Sequence, residues 1–263
     1  MSRILTFFLI LLAATAARAE IRTETIDYQV GDTRMTGYLA YDDAMSGARP
    51  GILVVHEWWG HTDYVRRRAE MLARLGYTAF ALDMYGDGKV ADHPETATGF
   101  MKEVLGDLPD AQRRFETARV ILAQHSSVDP ERIAAIGYCF GGGVVLHMAR
   151  AGADLDAVVS FHGSLATEQP AQPGDVEAQV LVFTGADDVM VPPEQEQAFE
   201  REMTAANAQY ELVSYSNVKH GFTNPAADGF AERFGMPLEY NAQADAASWQ
   251  RMQSFLQQVF YSN

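Results

Sequence analysis

Hydrophobic and polar positions change period several times along the chain. From Ile21 to Asp42 apolar and polar residues alternate, broken at Gly31-Asp32, the pattern of a β-hairpin. "PGILVVHE" (50–57) is a continuous apolar run, as expected of a strand covered on both faces. "TDYVRRRAEMLARLG" (62–76) then takes up helical spacing, opening on a capping residue and stopping at Gly76. The alternation continues: strand 77–85, helix 109–126, strand 132–138, helix 140–152, strand 155–163, strand 179–188, helix 192–207, strand 208–217 and a closing helix 242–260. Repeated strand–helix–strand units with apolar strands predict a mostly parallel sheet with helices on both faces, the leading hairpin adding antiparallel edge strands.

Residues 1–19 follow another logic. Arg3 precedes the apolar stretch "ILTFFLILLAATAA", and "ARA" (17–19) is a small-x-small cleavage box. This is the pattern of a secretory signal peptide cut before Glu20, so residues 20–263 are expected to be one domain, exported to the periplasm or secreted, and not membrane-bound after cleavage. Composition agrees with a globular domain, at 48% hydrophobic and 21% charged. The formal net charge of −15 argues against nucleic acid or an anionic membrane as partner. The leader carries two arginines and no acid, so the processed chain is more negative still.

Export usually invites disulfides, yet the chain has one cysteine. Cys139 lies in "GYCFGG" (137–142), after a strand and before a helix. Gly-x-nucleophile-x-Gly in that setting is a nucleophile elbow, in which the glycines let backbone pass close by and the following helix aims its N-terminal amides at the sulfur. Such a nucleophile needs an acid and then a histidine later in the chain. "GADDVMVP" (185–192) offers Asp187 and Asp188, and "VKHGF" (218–222) offers His220. Each follows a strand, where an open α/β sheet places its chemistry. His220 is expected to take the thiol proton while the aspartate fixes its tautomer.

Together "GYCFGG", "GADDVMVP", "KHGF" and "VVHEWWG" resemble the dienelactone hydrolases, the cysteine-dependent branch of the α/β-hydrolase fold, over residues 25 to 260. The resemblance implies Cys139 as nucleophile, His220 as base, and Asp188 rather than Asp187 as acid, through its Asp-x-x-Val-Pro setting. It implies Glu57 as a carboxylate beside the resting thiol, modulating it. The oxyanion hole falls to the backbone amides of Phe140 and Trp58. Trp58, Trp59 and Tyr85 are expected to wall the pocket. His162 stands at a strand end as a candidate for the rim, and His147 is read as packing within a helix. His56, His61 and His93 have no metal spacing, so no metal and no cofactor are expected.

The implied activity is hydrolysis of small esters or lactones through a cysteine acyl-enzyme. A non-catalytic exported binding protein on the same fold is the alternative, which the complete set of residues in the right order disfavours. Family members that take an anionic lactone hold its carboxylate with two arginines; here those positions carry Asp87 and Asn224. Neutral substrates are therefore expected, unless Lys89 or Lys219 supplies the missing charge.

Overall fold

A computed structural model describes residues 20–262; the signal-peptide expectation lies outside them. Eight strands form a single sheet: β1 (Ile21–Val30), β2 (Thr33–Asp42), β3 (Arg49–Val55), β4 (Thr78–Leu82), β5 (Val128–Tyr138), β6 (Ala157–Phe161), β7 (Gln179–Gly185) and β8 (Tyr210–Tyr215). Their order is β1-β2-β4-β3-β5-β6-β7-β8. The β1–β2 hairpin is antiparallel and joins β4 antiparallel; all other pairs are parallel. This is the mostly parallel sheet with an antiparallel leading hairpin that the strand–helix rhythm predicts, and the α/β-hydrolase fold that the resemblance implies.

Every residue of β3, β4 and β6 is buried, which explains their unbroken apolar runs. One face of the sheet is covered by α3 (Leu108–Ala123), α4 (Phe140–Arg150) and α5 (Pro193–Ala205), through side chains such as Phe115, Val145 and Phe199. The other is covered by α1 (Asp63–Arg74) and α7 (Ala242–Tyr261), through Val65, Leu72, Met252 and Leu256. Asp107 and Asn241 cap α3 and α7 by accepting from Asp110 N and Ala244 N.

Two helices have no counterpart in the hydrophobic pattern: α2 (Pro94–Leu105) and α6 (Ala227–Phe234). Both present few residues to the core, Ala97 and Val104 in α2 and Ala227 alone in α6, so neither writes an apolar stripe into the sequence. No helix among the described residues is long and apolar enough to cross a membrane.

Candidate active site

The carboxyl ends of β3 to β8 converge on one edge of the sheet. Cys139 follows β5 with φ 55° and ψ −115°, a backbone conformation that costs an L-residue on the order of 1–3 kcal/mol. The surroundings impose it. Cys139 N donates to Phe161 O at 3.0 Å, and Gly141 N donates to His56 O at 3.1 Å. A Cβ on Gly137 would stand 2.1 Å from Gly141 O, and one on Gly141 would stand 2.4 Å from Val55 O. The two glycines of the motif are thus required by backbone contact on both sides of the cysteine. Phe140 is the first residue of α4, so its amide has no carbonyl a turn earlier to bond.

Asp188 and His220, 32 residues apart, meet beside this elbow. His220 Nδ1 lies 2.8 Å from Asp188 Oδ2, and both residues are buried. Asp188 Oδ1 accepts from Met190 N, which fixes the carboxylate plane. Asp187 is exposed and bonds only through its backbone to Val218 O. Neither aspartate caps α5, whose N-cap is Pro192. His220 Nε2 is buried and makes no hydrogen bond among the described residues, and Cys139 is near enough to influence the ring. Burial opposes a charge on His220, but the adjacent sulfur and the hydrogen bond to Asp188 outweigh it and raise its pKa to about 10.

Glu57 is buried behind His220. Its hydrogen-bond partner is Asn224, whose Nδ2 donates to Oε2 at 2.5 Å, and no hydrogen bond ties it to the thiol. Asn224 therefore holds the carboxylate of Glu57 instead of meeting substrate. Burial raises the Glu57 pKa to about 7, against the pull of Asn224, His220 and Arg68. Arg68 is itself buried. It donates to Asp245 Oδ1 at 2.6 Å and to Thr223 O at 2.7 Å, and lies over the rings of Tyr64, Tyr138 and Trp249. The Thr223 hydroxyl is hydrogen bonded to Tyr64 (2.6 Å) and to His162 Nε2 (2.8 Å). His162, a candidate for the rim, is fully buried instead, with its ring edge-on to His220 at 5.0 Å and φ 41°. Burial holds its pKa well below the usual value, so it stays neutral beside His220.

Because the folded chain holds the Glu57 proton more tightly than the unfolded chain, its stabilising contribution is complete below about pH 4.5 and is lost as pH rises through about 7. Glu57→Gln keeps the acceptor for Asn224 and removes the titration. Unfolding free energies measured in urea at pH 5 and pH 8 should show the variant gaining about 2.5 kcal/mol on the wild type between the two. Equal pH slopes for the two proteins would contradict a buried carboxylate at this position.

The loop after β3 is pinned from behind. His56 accepts from Met84 N at 3.2 Å through Nε2, so its Nδ1 carries the proton it donates to Glu57 O at 2.6 Å. Burial lowers its pKa to about 4, which keeps this neutral tautomer in place. The loop after β4 is organised by Asp83, a residue the sequence reading passes over. Its carboxylate accepts from the amides of Tyr85, Gly86, Gly88 and Thr36 at 2.8 to 3.1 Å.

A cavity of about 700 Å³ opens over Cys139 and His220, with Trp58 in its wall. Trp59 and Tyr85, expected in that wall, are not there. Trp59 is buried and stacks on Phe230 with ring centroids 4.3 Å apart, its neighbour Trp58 taking the exposed side of the turn. Tyr85 is buried beneath the loop and donates to Trp58 O at 3.1 Å, supporting the wall from outside. His147, read as packing, does line the cavity, as do Met101, Leu105 and Leu108 from the α2–α3 region. Asp87 is exposed beside the hairpin, its amide donating to Arg34 O, and does not reach the cavity. Lys219 is paired with Glu239 at 2.6 Å, and Lys89 lies against Tyr85 O and the Phe100 ring; neither lines the cavity. Arg150 does, but its charge is matched by Glu202 through two contacts of 2.8 and 2.9 Å.

A strained elbow after β5, an acid after β7 and a histidine after β8 define the class: the chain is a hydrolase built on the α/β-hydrolase fold. It belongs to the dienelactone hydrolase family, whose model matches residues 35–260. A Salmonella typhimurium protein provisionally named a carboxymethylenebutenolidase is 30% identical over 211 residues, which cover 75% of this chain and 77% of the relative. The crystal structure of a dienelactone hydrolase-like promiscuous phosphotriesterase from metagenomic libraries superposes with a TM-score of 0.85 at 36% identity, covering 92% of this chain and 99% of that one. A second structure, titled m3DLH, matches at 0.84 and 36%, covering 91% of this chain and 99% of that one.

Proposed function

We propose that the protein hydrolyses neutral carboxylic esters or lactones through an acyl-enzyme on Cys139, after export to the periplasm or the medium. The observation that supports this reading is that Cys139 and His220 line one cavity, His220 is hydrogen bonded to the buried Asp188, and the cysteine stands at positive φ between a strand and a helix.

His220 takes the proton of the thiol, and the thiolate attacks the ester carbonyl carbon. The S–C bond forms as the carbonyl π pair moves to oxygen, giving an oxyanion that the amides of Phe140 and Trp58 receive in this reading. Among the described residues neither amide has an acceptor in the protein. The C–O bond then breaks, and the imidazolium of His220 returns its proton to the leaving alkoxide. Water, giving a proton to His220, attacks the thioester; the C–S bond breaks, the acid departs and the thiol is restored. Asp188 keeps the Nδ1 proton of His220 in place through both halves. Glu57, held by Asn224 on the far side, adds negative charge near the imidazolium once it ionises.

The neutral preference rests on the cavity wall. Its one lining arginine or lysine among the described residues, Arg150, is already matched by Glu202, Glu168 adds an acid to the lining, and an anionic substrate would enter a strongly negative protein without the planar fork an unpaired arginine offers. The likeness to a promiscuous phosphotriesterase adds neutral phosphotriesters to the electrophiles expected to react at the same sulfur. The test compares p-nitrophenyl butyrate with the p-nitrophenyl monoester of succinic acid, which share a leaving group and differ in charge. We expect kcat/KM to favour the neutral ester by at least about tenfold, a difference of about 1.4 kcal/mol. A preference for the anion would overturn the charge reading. Binding of both without turnover would instead make this a binding protein.

A further inference from the structure

The cavity has a direction. Its floor is helix α4, and the lining residues of that helix are Phe140, Gly143, His147 and Arg150, together with Cys139 at the N-cap. Steps of three and four residues keep one face of a helix in line. Within α4 only Gly143 and His147 escape full burial, so the open stripe runs from the cysteine along the helix. At about 1.5 Å per residue, Cys139 and Arg150 lie roughly 16 Å apart along that axis. Apolar lining comes from Met101, Leu105, Leu108, Met190 and Met236, while the segment 164–169 adds polar groups, Glu168 among them. Leu105 and Met190 are 45% and 38% exposed, so the trough presents hydrophobic surface with no protein group covering it.

We infer that this trough holds a long, unbranched acyl chain, and that Gly143 is the residue that keeps it open. The inference rests on the acyl-enzyme proposed above. In that intermediate the acyl group, and not the alcohol, is tethered to the sulfur, so a trough beginning at Cys139 holds the acyl chain through both half-reactions. With C–C bonds of about 1.5 Å, an extended chain of roughly a dozen carbons spans the distance to Arg150. Arg150 ends the stripe with its charge matched by Glu202, which suits the neutral tail of such a chain.

Gly143 has no conformational need to be glycine. Its φ is not positive, and a Cβ there would meet its nearest neighbour, Ser164 O, at 3.6 Å, an ordinary contact. This separates it from Gly141 and Gly142, where a Cβ would strike other atoms at 2.4 and 2.6 Å. A glycine at an unstrained interior helical site is less stable than alanine. Here the missing side chain leaves room on the trough floor beside Ser164.

The experiment is a series of p-nitrophenyl esters from acetate to decanoate, with the leaving group constant, on the wild-type protein, Gly143→Ala and Gly143→Leu. For the wild type, kcat/KM for decanoate should exceed that for acetate by at least about a hundredfold, since burial of each added methylene is favourable. Gly143→Leu fills the trough one turn from the sulfur and should bring that ratio to within about tenfold. Gly143→Ala, expected to melt no lower than the wild type, should give an intermediate ratio and guards against a folding defect in the leucine variant. A wild-type preference for acetate, or a ratio unchanged in both variants, would overturn the inference while leaving the acyl-enzyme intact. Loss of the acyl-enzyme itself would show separately, as hydrolysis of acetate that does not depend on Cys139.

Discussion

Replacing Cys139 by alanine is expected to lower kcat for a neutral aryl ester by about a millionfold, the loss typical when the nucleophile of a cooperating set is removed. The size follows from the division of labour in the site. Without the sulfur, His220 has no thiol to deprotonate, and its Nε2, which meets no oxygen or nitrogen partner, serves nothing. What survives is the binding in the cavity and the amides of Phe140 and Trp58. The fold should survive as well. Alanine keeps the Cβ that the φ of 55° already tolerates, and the backbone contacts to Phe161 and His56 do not involve the sulfur. Activity is read from p-nitrophenol release and stability from thermal unfolding. A variant with more than a tenth of wild-type activity would place the nucleophile elsewhere.

The second large effect separates two adjacent aspartates. Asp188→Asn should cost about ten-thousand-fold in kcat, because an amide nitrogen facing Nδ1 stabilises the wrong tautomer of the imidazole. Asp187→Asn should cost less than about threefold, as expected of an exposed side chain with no partner of its own. The physical difference is visible in burial: Asp188 is 3% exposed and 2.8 Å from His220, whereas its neighbour faces water. The asparagine also loses the charge that supports the raised His220 pKa, so its residual activity should depend on pH differently from the wild type. The reverse ranking of the two variants would move the acid of the set to Asp187.

Much of this site is written locally. The elbow is legible because strand, glycine, nucleophile and helix are consecutive, and each glycine answers a contact made by its own neighbours in the chain or by the adjacent β3 end. Strands β3, β4 and β6 are legible because full burial leaves an unbroken apolar run. The cavity wall is another matter. Trp58 and Trp59 are adjacent and chemically identical, and which one faces the cavity is decided by Phe230 in α6, a short helix whose one buried residue leaves no periodic trace. The α2 contribution is hidden for the same reason. Asn224 stands where an arginine clamp is expected in relatives that bind anions, and only the fold shows that it turns away to hold Glu57, 167 residues earlier in the chain. Asp83 could have been suspected, since it precedes a turn with Gly86 and Gly88, yet its fourth donor, Thr36 N, comes from the hairpin. Contacts that join distant segments set the specificity here, while the chemistry is carried by short segments with their own signatures.

The central claim is that the acyl group passes through the sulfur of Cys139. Rapid-quench mixing with p-nitrophenyl butyrate, followed by mass spectrometry of the intact protein and of its peptides, tests it most directly. The expected result is a burst of p-nitrophenol stoichiometric with protein and a matching butyryl adduct on the peptide that carries Cys139, decaying at the steady-state rate and absent from Cys139→Ala. Turnover at the wild-type rate with no acylated protein, or with the butyryl group on any other residue, would contradict it.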